Sequence, residues 1–419
     1  MTVSKKKILI IGSVWPEPDS SAAGTRMMQL IQVFFDADCK ITFACTSNMS
    51  NHMADLNTFG IDKYQIAVND SNFDTFLIQL KPDIVIFDRF IIEEQFGWRV
   101  SKTVPNALRI LNTEDLHSLR KTREHCFKSK NEFTPSILLE EAITKREIAS
   151  IYRCDLSLII SEYELSLLKK TFSIDHNLLL YLPITFNYET LEQVKNTPSF
   201  SERKNFITIG NFRHEPNWQS VLYLKKNIWP LIAAKNSEAE LHIYGAYPPP
   251  KAIQLNNPKE RFYIKGWTTN AHKVMKEARV CLAPIQFGAG IKGKLLQAMI
   301  AGTPNVTTAI GAEGMHASNV WSGFISDTPK DFAEKASLLY TNETIWNDKK
   351  KIGNIILNER FNSNKFQNVL LEKIEYTLRN LRTIRNQNFI GSMLSYHTIR
   401  STEYMSRWIE LKNKHPQTD

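Results

Sequence analysis

The sequence predicts two doubly wound α/β domains that face each other across a cleft. Three observations lead there. Short apolar runs alternate with longer amphipathic segments. The rhythm breaks once, around residues 188–204, and then restarts. In the second half, a glycine-rich turn joins an apolar run to a helical pattern.

The runs come in order. Residues 8–11 (Ile-Leu-Ile-Ile) end at Gly12 and a polar loop, and 41–45, 84–87, 108–111 and 156–160 follow the same plan. Each is rich in Ile, Val, Leu or Phe without polar alternation, as expected of strands buried on both faces of a parallel sheet. Helical candidates, such as 25–35 and 136–152, lie between them. The stretch 184–205, with Pro198 and many polar residues, reads as a linker. Runs then recur at 206–209, 241–244, 262–264, 280–284 and 305–308, the first three with Gly210, Gly245 and Gly266 at or near their ends. This gives a first domain over 1–187, a linker over 188–204, a second domain over 205–375 and a basic helical tail over 376–419. Trp218 and Trp229 fit a helix packed on the second sheet and read as core. The tail carries Phe389, Met393, Leu394, Tyr396, Tyr404 and Trp408 among its basic residues. Packing back on the first domain is the favoured reading for it. A partner interface and a membrane surface are the alternatives.

Bulk properties narrow the class. With 419 residues, 42% hydrophobic and 23% charged, the chain has material for two full cores. The net charge of +9 favours anionic partners, although a solubilising basic surface is an equal reading. The clusters at 5–7, 120–123, 349–351 and the tail do not form one nucleic-acid stripe. Five cysteines (Cys39, Cys45, Cys126, Cys154 and Cys281) stand far apart. Neither a metal site nor a disulfide framework is expected, and a reducing cytoplasm fits best. Cys45, Cys154 and Cys281 read as small buried hydrophobes. No window is apolar for long enough to span a bilayer, so a cytoplasmic protein, or one peripheral at the inner membrane face, is expected.

The chemistry concentrates in Phe287-Gly-Ala-Gly-Ile-Lys-Gly-Lys294, which leads into Leu295-Leu-Gln-Ala-Met299. Glycines let the backbone approach a ligand, and a helix N-terminus offers free N–H groups and a positive dipole end to phosphate. Lys292 and Lys294 add full charges there. A flexible turn with solvated lysines is the plainer alternative, but the strand–loop–helix context favours phosphate.

These segments carry a resemblance. Ile209-Gly-Asn-Phe-Arg-His-Glu-Pro-Asn217, the 287–294 turn and Thr307-Thr-Ala-Ile-Gly-Ala-Glu-Gly314 are similar, in order and spacing, to family-4 retaining glycosyltransferases of the GT-B fold. Asn112-Thr-Glu-Asp-Leu-His-Ser-Leu-Arg120 and Ile159-Ile-Ser-Glu-Tyr-Glu164 resemble the same family more loosely. The likeness spans roughly residues 7–375. It implies a nucleotide-diphosphate-sugar donor held by the second domain and an acceptor shaped by the first. It also implies no metal or other cofactor. In that reading Arg213, Lys292 and Lys294 approach the diphosphate, with Gly290, Ile291 and Gly293 lining its turn. Gly245 lies near the base, and Gly24 and Arg26 approach from the first domain. Asp115 and His117 point into the cleft near the sugar, and Glu313 touches ligand or caps a turn. No side-chain nucleophile is expected. The acceptor is a saccharide, a lipid-linked sugar, a protein or a small molecule, in polysaccharide or glycoconjugate biosynthesis.

The chain departs from that pattern. Relatives carry two glutamates eight apart, where Ala289 and Gln297 stand here. An Arg and a Lys six apart are replaced by Asn211 and Asn217, with Arg213 nearby to compensate. Gln297 still hydrogen-bonds ribose hydroxyls, without a charge-assisted acceptor. These changes motivate an alternative, a catalytically impaired subunit that keeps nucleotide binding. A nucleotide-sugar epimerase and a nucleic-acid binder are more distant. Bland readings stand beside the sharp ones: a loop histidine for His117, a helix N-cap for Asp115, a surface histidine for His214, and a solvated helix face for Glu140, Glu141 and Lys145.

Overall fold

A computed structural model of the chain describes residues 3–187, 192, 197–316 and 320–414. The first domain holds seven strands: β1 (Lys7–Gly12), β2 (Lys40–Cys45), β3 (Asp62–Gln65), β4 (Ile84–Asp88), β5 (Leu108–Asn112), β6 (Leu156–Ile159) and β7 (Leu179–Tyr181). They are parallel in the order β3-β2-β1-β4-β5-β6-β7. The second domain holds β8 (Lys204–Ile209), β9 (Leu241–Tyr244), β10 (Phe262–Gly266), β11 (Ala278–Ala283), β12 (Asn305–Thr307) and β13 (Gly323–Ile325). These are parallel in the order β10-β9-β8-β11-β12-β13. Of the expected linker, residues 188–191 and 193–196 lie outside the described residues.

Central strands are covered by helices on both faces. β4 is buried along its whole length, which is why it reads as an unbroken apolar run. The edge strand β3, Asp-Lys-Tyr-Gln, is largely exposed and has no such run. In each sheet the order reverses beside the first strand of the domain, between β1 and β4 and between β8 and β11. Chain segments leave such a point in opposite directions and open a crevice at the carboxyl ends of the strands. The two crevices face each other.

Helix boundaries differ from the sequence pattern where side chains cap them. The first helix runs Ala22–Asp36, starting before residue 25, because Ser21 Oγ accepts the Gly24 amide at 3.0 Å. The expected helix 136–152 divides into Pro135–Glu140 and Ala142–Arg153, with Glu141 extended between them. Trp218 and Trp229 are core residues of the second domain, and Cys45, Cys154 and Cys281 are buried.

After the second domain the chain returns to the first. Helix Gln367–Arg379, which spans the expected boundary between the second domain and the tail at 375/376, buries Leu370 and Ile374 in the first-domain core beside Met27, Ile31 and Phe34. The apolar spacing revealed a helix but not which sheet it covers. Arg385, in the next helix Leu381–Gln387, donates to both carboxylate oxygens of the buried Asp155 at 2.7 and 2.8 Å. The last helix, Phe389–Lys414, lies on helices Phe90–Thr103 and Ala142–Arg153 of the first domain. Among the described residues, no helix is long and apolar enough to cross a membrane.

Leu370 is 1% exposed, so Leu370→Ala should destabilise by about 2–5 kcal/mol through lost burial and a cavity. Urea unfolding followed by first-domain tryptophan fluorescence should show the loss. A change within error would place this helix outside the folding unit of the first domain.

Candidate functional site

The facing crevices enclose a cavity of about 570 Å³. Its walls come from loops at strand ends. Glu17 and Gly24 follow β1, Arg89 follows β4, and Glu114 and Asp115 follow β5. Arg213 and His214 follow β8, Gly245 follows β9, and residues 288–294 with Gln297 follow β11. Gly245 meets this packing directly, since a Cβ there would sit 2.0 Å from the Gly210 carbonyl oxygen.

The turn and helix after β11 form the second-domain wall. Helix Gly293–Ile300 begins after Lys292, which has no side-chain cap hydrogen bond. Gly290, Ile291, Lys292, Gly293, Lys294 and Gln297 all line the cavity. Lys292 Nζ donates to the Gly290 carbonyl at 2.9 Å. Burial pulls both ammonium groups down to about 8, with Glu313 pulling Lys292 the other way. The helix end therefore holds two poorly solvated cations beside free backbone donors, which an arriving dianion would relieve. In the loop after β8 of the same domain, the Arg213 guanidinium stacks 3.7 Å from the Tyr247 ring centroid. Tyr247 in turn donates to Glu17 of the first domain at 3.0 Å. Asn211 and Asn217 both line the wall, tied together by a 3.0 Å bond from Asn217 Nδ2 to the Asn211 carbonyl. Ala289 packs against the core of the first domain.

The first-domain wall is acidic and strained. Arg120 Nε donates to Asp115 at 2.6 Å. Burial pushes the Asp115 carboxyl up, but Arg120, His117 and His214 outweigh it and hold Asp115 well below the usual carboxylate range. His117 Nε2 lies 3.6 Å from Asp115, but His117 is not part of the cavity wall. Burial lowers His117 to about 4, with Arg120 and Arg89 adding to it and Asp115 opposing. The imidazole is therefore neutral at pH 7. Nor does Asp115 cap the helix His117–Ser129. Glu147 accepts the His117 and Ser118 amides at 2.9 and 2.8 Å instead. His214, read as a surface histidine, lines the cavity.

Two predicted residues take other roles. Arg26 is 1% exposed and lies beneath the cavity, not on its wall. It donates to Asn112 Oδ1 at 3.3 Å and to the Leu182 carbonyl, and sits 3.7 Å from Glu114. Glu313 pairs with Arg123 of the first domain through two 2.8 Å bonds and does not reach the cavity. Gly24 lines the cavity, and its close neighbour is the Glu17 carbonyl.

The residues that sequence reasoning missed are mostly buried charges. Glu114 lines the cavity, and burial, with Asp88 adding, raises it to about 7. Arg89 and Glu114 hold φ values of 75° and 56°, a region non-glycine residues avoid. Glu164 accepts the Leu116 amide at 3.0 Å and, from the second domain, the Gly290 amide at 2.8 Å. Burial first, then Asp115, raises Glu164 to about 8. Only the Glu-Tyr-Glu stretch hinted at it. Among the described residues, no three His, Cys, Asp or Glu side chains converge to hold a metal ion.

Residues 203–342 match the family model described as Glycosyl transferases group 1. No curated protein matches the chain. Solved structures do. HepE from Anabaena, in complex with UDP and glucose, aligns with TM-score 0.62 at 13% identity, over 88% of this chain and 99% of that one. A TarM mutant from S. aureus, in complex with Fondaparinux, alpha-GlcNAc-glycerol and UDP, aligns with TM-score 0.66 at 12% identity, over 89% and 99%. Sucrose-phosphate synthase from Thermosynechococcus elongatus aligns with TM-score 0.61 at 14% identity, over 90% and 100%. The fold of this chain is GT-B.

Glu164 makes stability depend on pH. Folded, it keeps its proton up to about 8, whereas unfolded it releases it near 4.5. Its stabilisation is complete below 4.5 and is lost as the pH rises through 8. Glu164→Gln should reduce the fall in melting temperature most clearly between about pH 7 and 8, above the range where burial raises Glu114 and Glu147 to about 7. Parallel wild-type and variant curves would contradict this assignment.

Arg123→Ala removes the pair with Glu313 and the 2.8 Å bond to the Gly288 carbonyl. Small-angle scattering should show a larger radius of gyration as the cleft opens. An unchanged radius would mean that other contacts hold the domains closed.

Proposed function

We propose that the chain transfers a sugar from a nucleotide-diphosphate-sugar donor to an acceptor hydroxyl, with retention of anomeric configuration. One observation carries this reading. A helix N-terminus flanked by Lys292 and Lys294 opens into a cavity where the switch points of two parallel sheets meet.

The chemistry of the leaving group sets the roles. Cleaving the bond between the anomeric carbon and the diphosphate builds negative charge on the departing oxygen. Lys294, Arg213 and the first amides of helix Gly293–Ile300 are preorganised to receive it. Gln297 faces the ribose and Gly245 the base. The sugar extends toward Asp115 and the first-domain wall, with neutral His117 behind it. In same-face attack, the acceptor hydroxyl bonds to the anomeric carbon and its proton passes to the departing diphosphate oxygen. No protein nucleophile enters, and the diphosphate charge is met without a metal ion. HepE and TarM were solved with UDP, which makes uridine diphosphate sugars the first donors to try.

The alternative, a nucleotide-binding partner subunit without catalysis, rests on Ala289 and Gln297 on the cavity wall. Release of nucleoside diphosphate separates the two. Donor binding without release, across a panel of donors and acceptors, would favour the partner subunit.

A thermal-shift panel of uridine, guanosine and adenosine diphosphate sugars should stabilise the wild type with at least one member. Lys294→Ala should lose most of that shift. Because Lys294 sits at about 8 when the site is empty, binding a diphosphate must keep it charged, so donor affinity should fall as the pH rises above 8. Calorimetric titration at rising pH reads this directly. A shift that survives Lys294→Ala would move the diphosphate elsewhere.

A further inference from the structure

Among its described residues, the last helix, Phe389–Lys414, exposes most of its large apolar side chains. The face turned toward the protein carries Gly391, Ser406 and both acids, with Leu394 and Ile409 half-buried in the same helix. Gly391 and Ser406 are buried there. A Cβ on Gly391 would sit 2.1 Å from the Tyr152 carbonyl oxygen, so the helix lies tightly on its bed. Both acids of the described helix are used on this side. Glu403 pairs with Lys102 at 2.7 Å, and Glu410 receives the Ser71 amide at 3.3 Å and lies 3.6 Å from the buried Arg99. Arg99 also donates to Ser406 Oγ at 3.4 Å.

Most of the large described side chains point outward. Phe389, Met393, Tyr396, Tyr404, Trp408 and Leu411 are between 46% and 73% exposed. Their spacing of three, four or eight residues puts them on one stripe, roughly 33 Å long at the helical rise. Cations lie along that stripe. The Arg400 guanidinium is 4.4 Å from the Tyr396 ring centroid, and Lys412 Nζ is 5.5 Å from that of Trp408. Such a face would waste its aromatics in water. Its composition, aromatic rings with basic side chains and the acids turned away, matches the boundary of an anionic bilayer, where rings enter the headgroup layer and cations meet phosphate.

We propose that the outward face of helix Phe389–Lys414 docks the protein on an anionic lipid surface. The helix lies on Phe90–Thr103, whose preceding residue Arg89 lines the cavity, and on Ala142–Arg153, whose Glu147 holds the amides of His117 and Ser118. The lipid surface is thereby fixed relative to the first-domain wall of the cleft. The inference needs the helix and its bed, not the donor site, so it stands or falls separately from the proposed reaction.

The test is co-sedimentation of the full chain with vesicles of phosphatidylglycerol in phosphatidylcholine, against phosphatidylcholine alone. The wild type should bind the anionic vesicles, and less so as salt rises. Tyr404→Ser with Trp408→Ser, and separately Arg400→Glu with Lys412→Glu, should each weaken binding about tenfold or more. Melting temperature should be nearly unchanged, because these four side chains are exposed. Failure of the wild type to sediment, equal binding by both double variants, or equal binding to neutral vesicles would overturn the proposal. So would a wild-type dimer in sedimentation velocity that the variants dissolve in the absence of lipid, which would assign the face to a second copy of the chain.

Discussion

The turn between Gly288 and Gly293 belongs by sequence to the second domain, but the first domain holds it in place. Arg123 donates to the Gly288 carbonyl, Glu164 accepts the Gly290 amide, and Asp115 lies against Gly290. A Cβ on Gly290 would be 2.8 Å from that of Asp115, and the residue itself sits at φ 65°, so glycine is required for both reasons. The start of helix Gly293–Ile300 is thus aimed by contacts from across the cleft. Opening the domains would break these contacts and release the turn.

The electrostatics follow from that closure. The second-domain wall holds cations that burial has made costly, and the first-domain wall holds acids in the same condition. Each set is partly satisfied by internal partners: Lys292 by the Gly290 carbonyl, Asp115 by Arg120, and Glu114 by Asn112. The backbone strain at Arg89 and Glu114 falls at the ends of β4 and β5, where the first sheet meets the cavity. Strain and unshielded charge gathered at one place are what a site keeps when recognition matters more than stability.

Much of the architecture was legible in the sequence, because its signals are local. Unbroken apolar runs mark strands covered on both faces, and β4 is the plainest case. The glycine-rich turn was also legible as a loop between a strand and a helix, since three glycines within six residues interrupt both patterns. What stayed hidden depends on distant contacts. Edge strand β3 has no apolar pattern to read. Leu370 and Ile374 gave a helix, but nothing in their spacing says that it crosses back to the first sheet. Arg26 and Glu313 looked like ligand contacts because a charged residue beside a motif is ambiguous until its partners are known. The fold gives them Glu114 and Arg123. Glu164 carried almost no signal, because its importance comes from a backbone amide more than a hundred residues away. The outward aromatics of the last helix were visible as composition, and only the packing of Gly391 and Ser406 showed which way they face.

The central claim is that the turn after β11 and the helix behind it receive a diphosphate. A crystal structure of the chain with a nucleoside diphosphate bound tests it most directly, with uridine, guanosine and adenosine diphosphate tried in turn. The account predicts phosphate oxygens within hydrogen-bonding distance of Lys294 Nζ and of the first amides of helix Gly293–Ile300, with Arg213 approaching from the loop after β8. A diphosphate seated elsewhere, or a turn that stays blocked by first-domain side chains while the nucleotide is held, would contradict it.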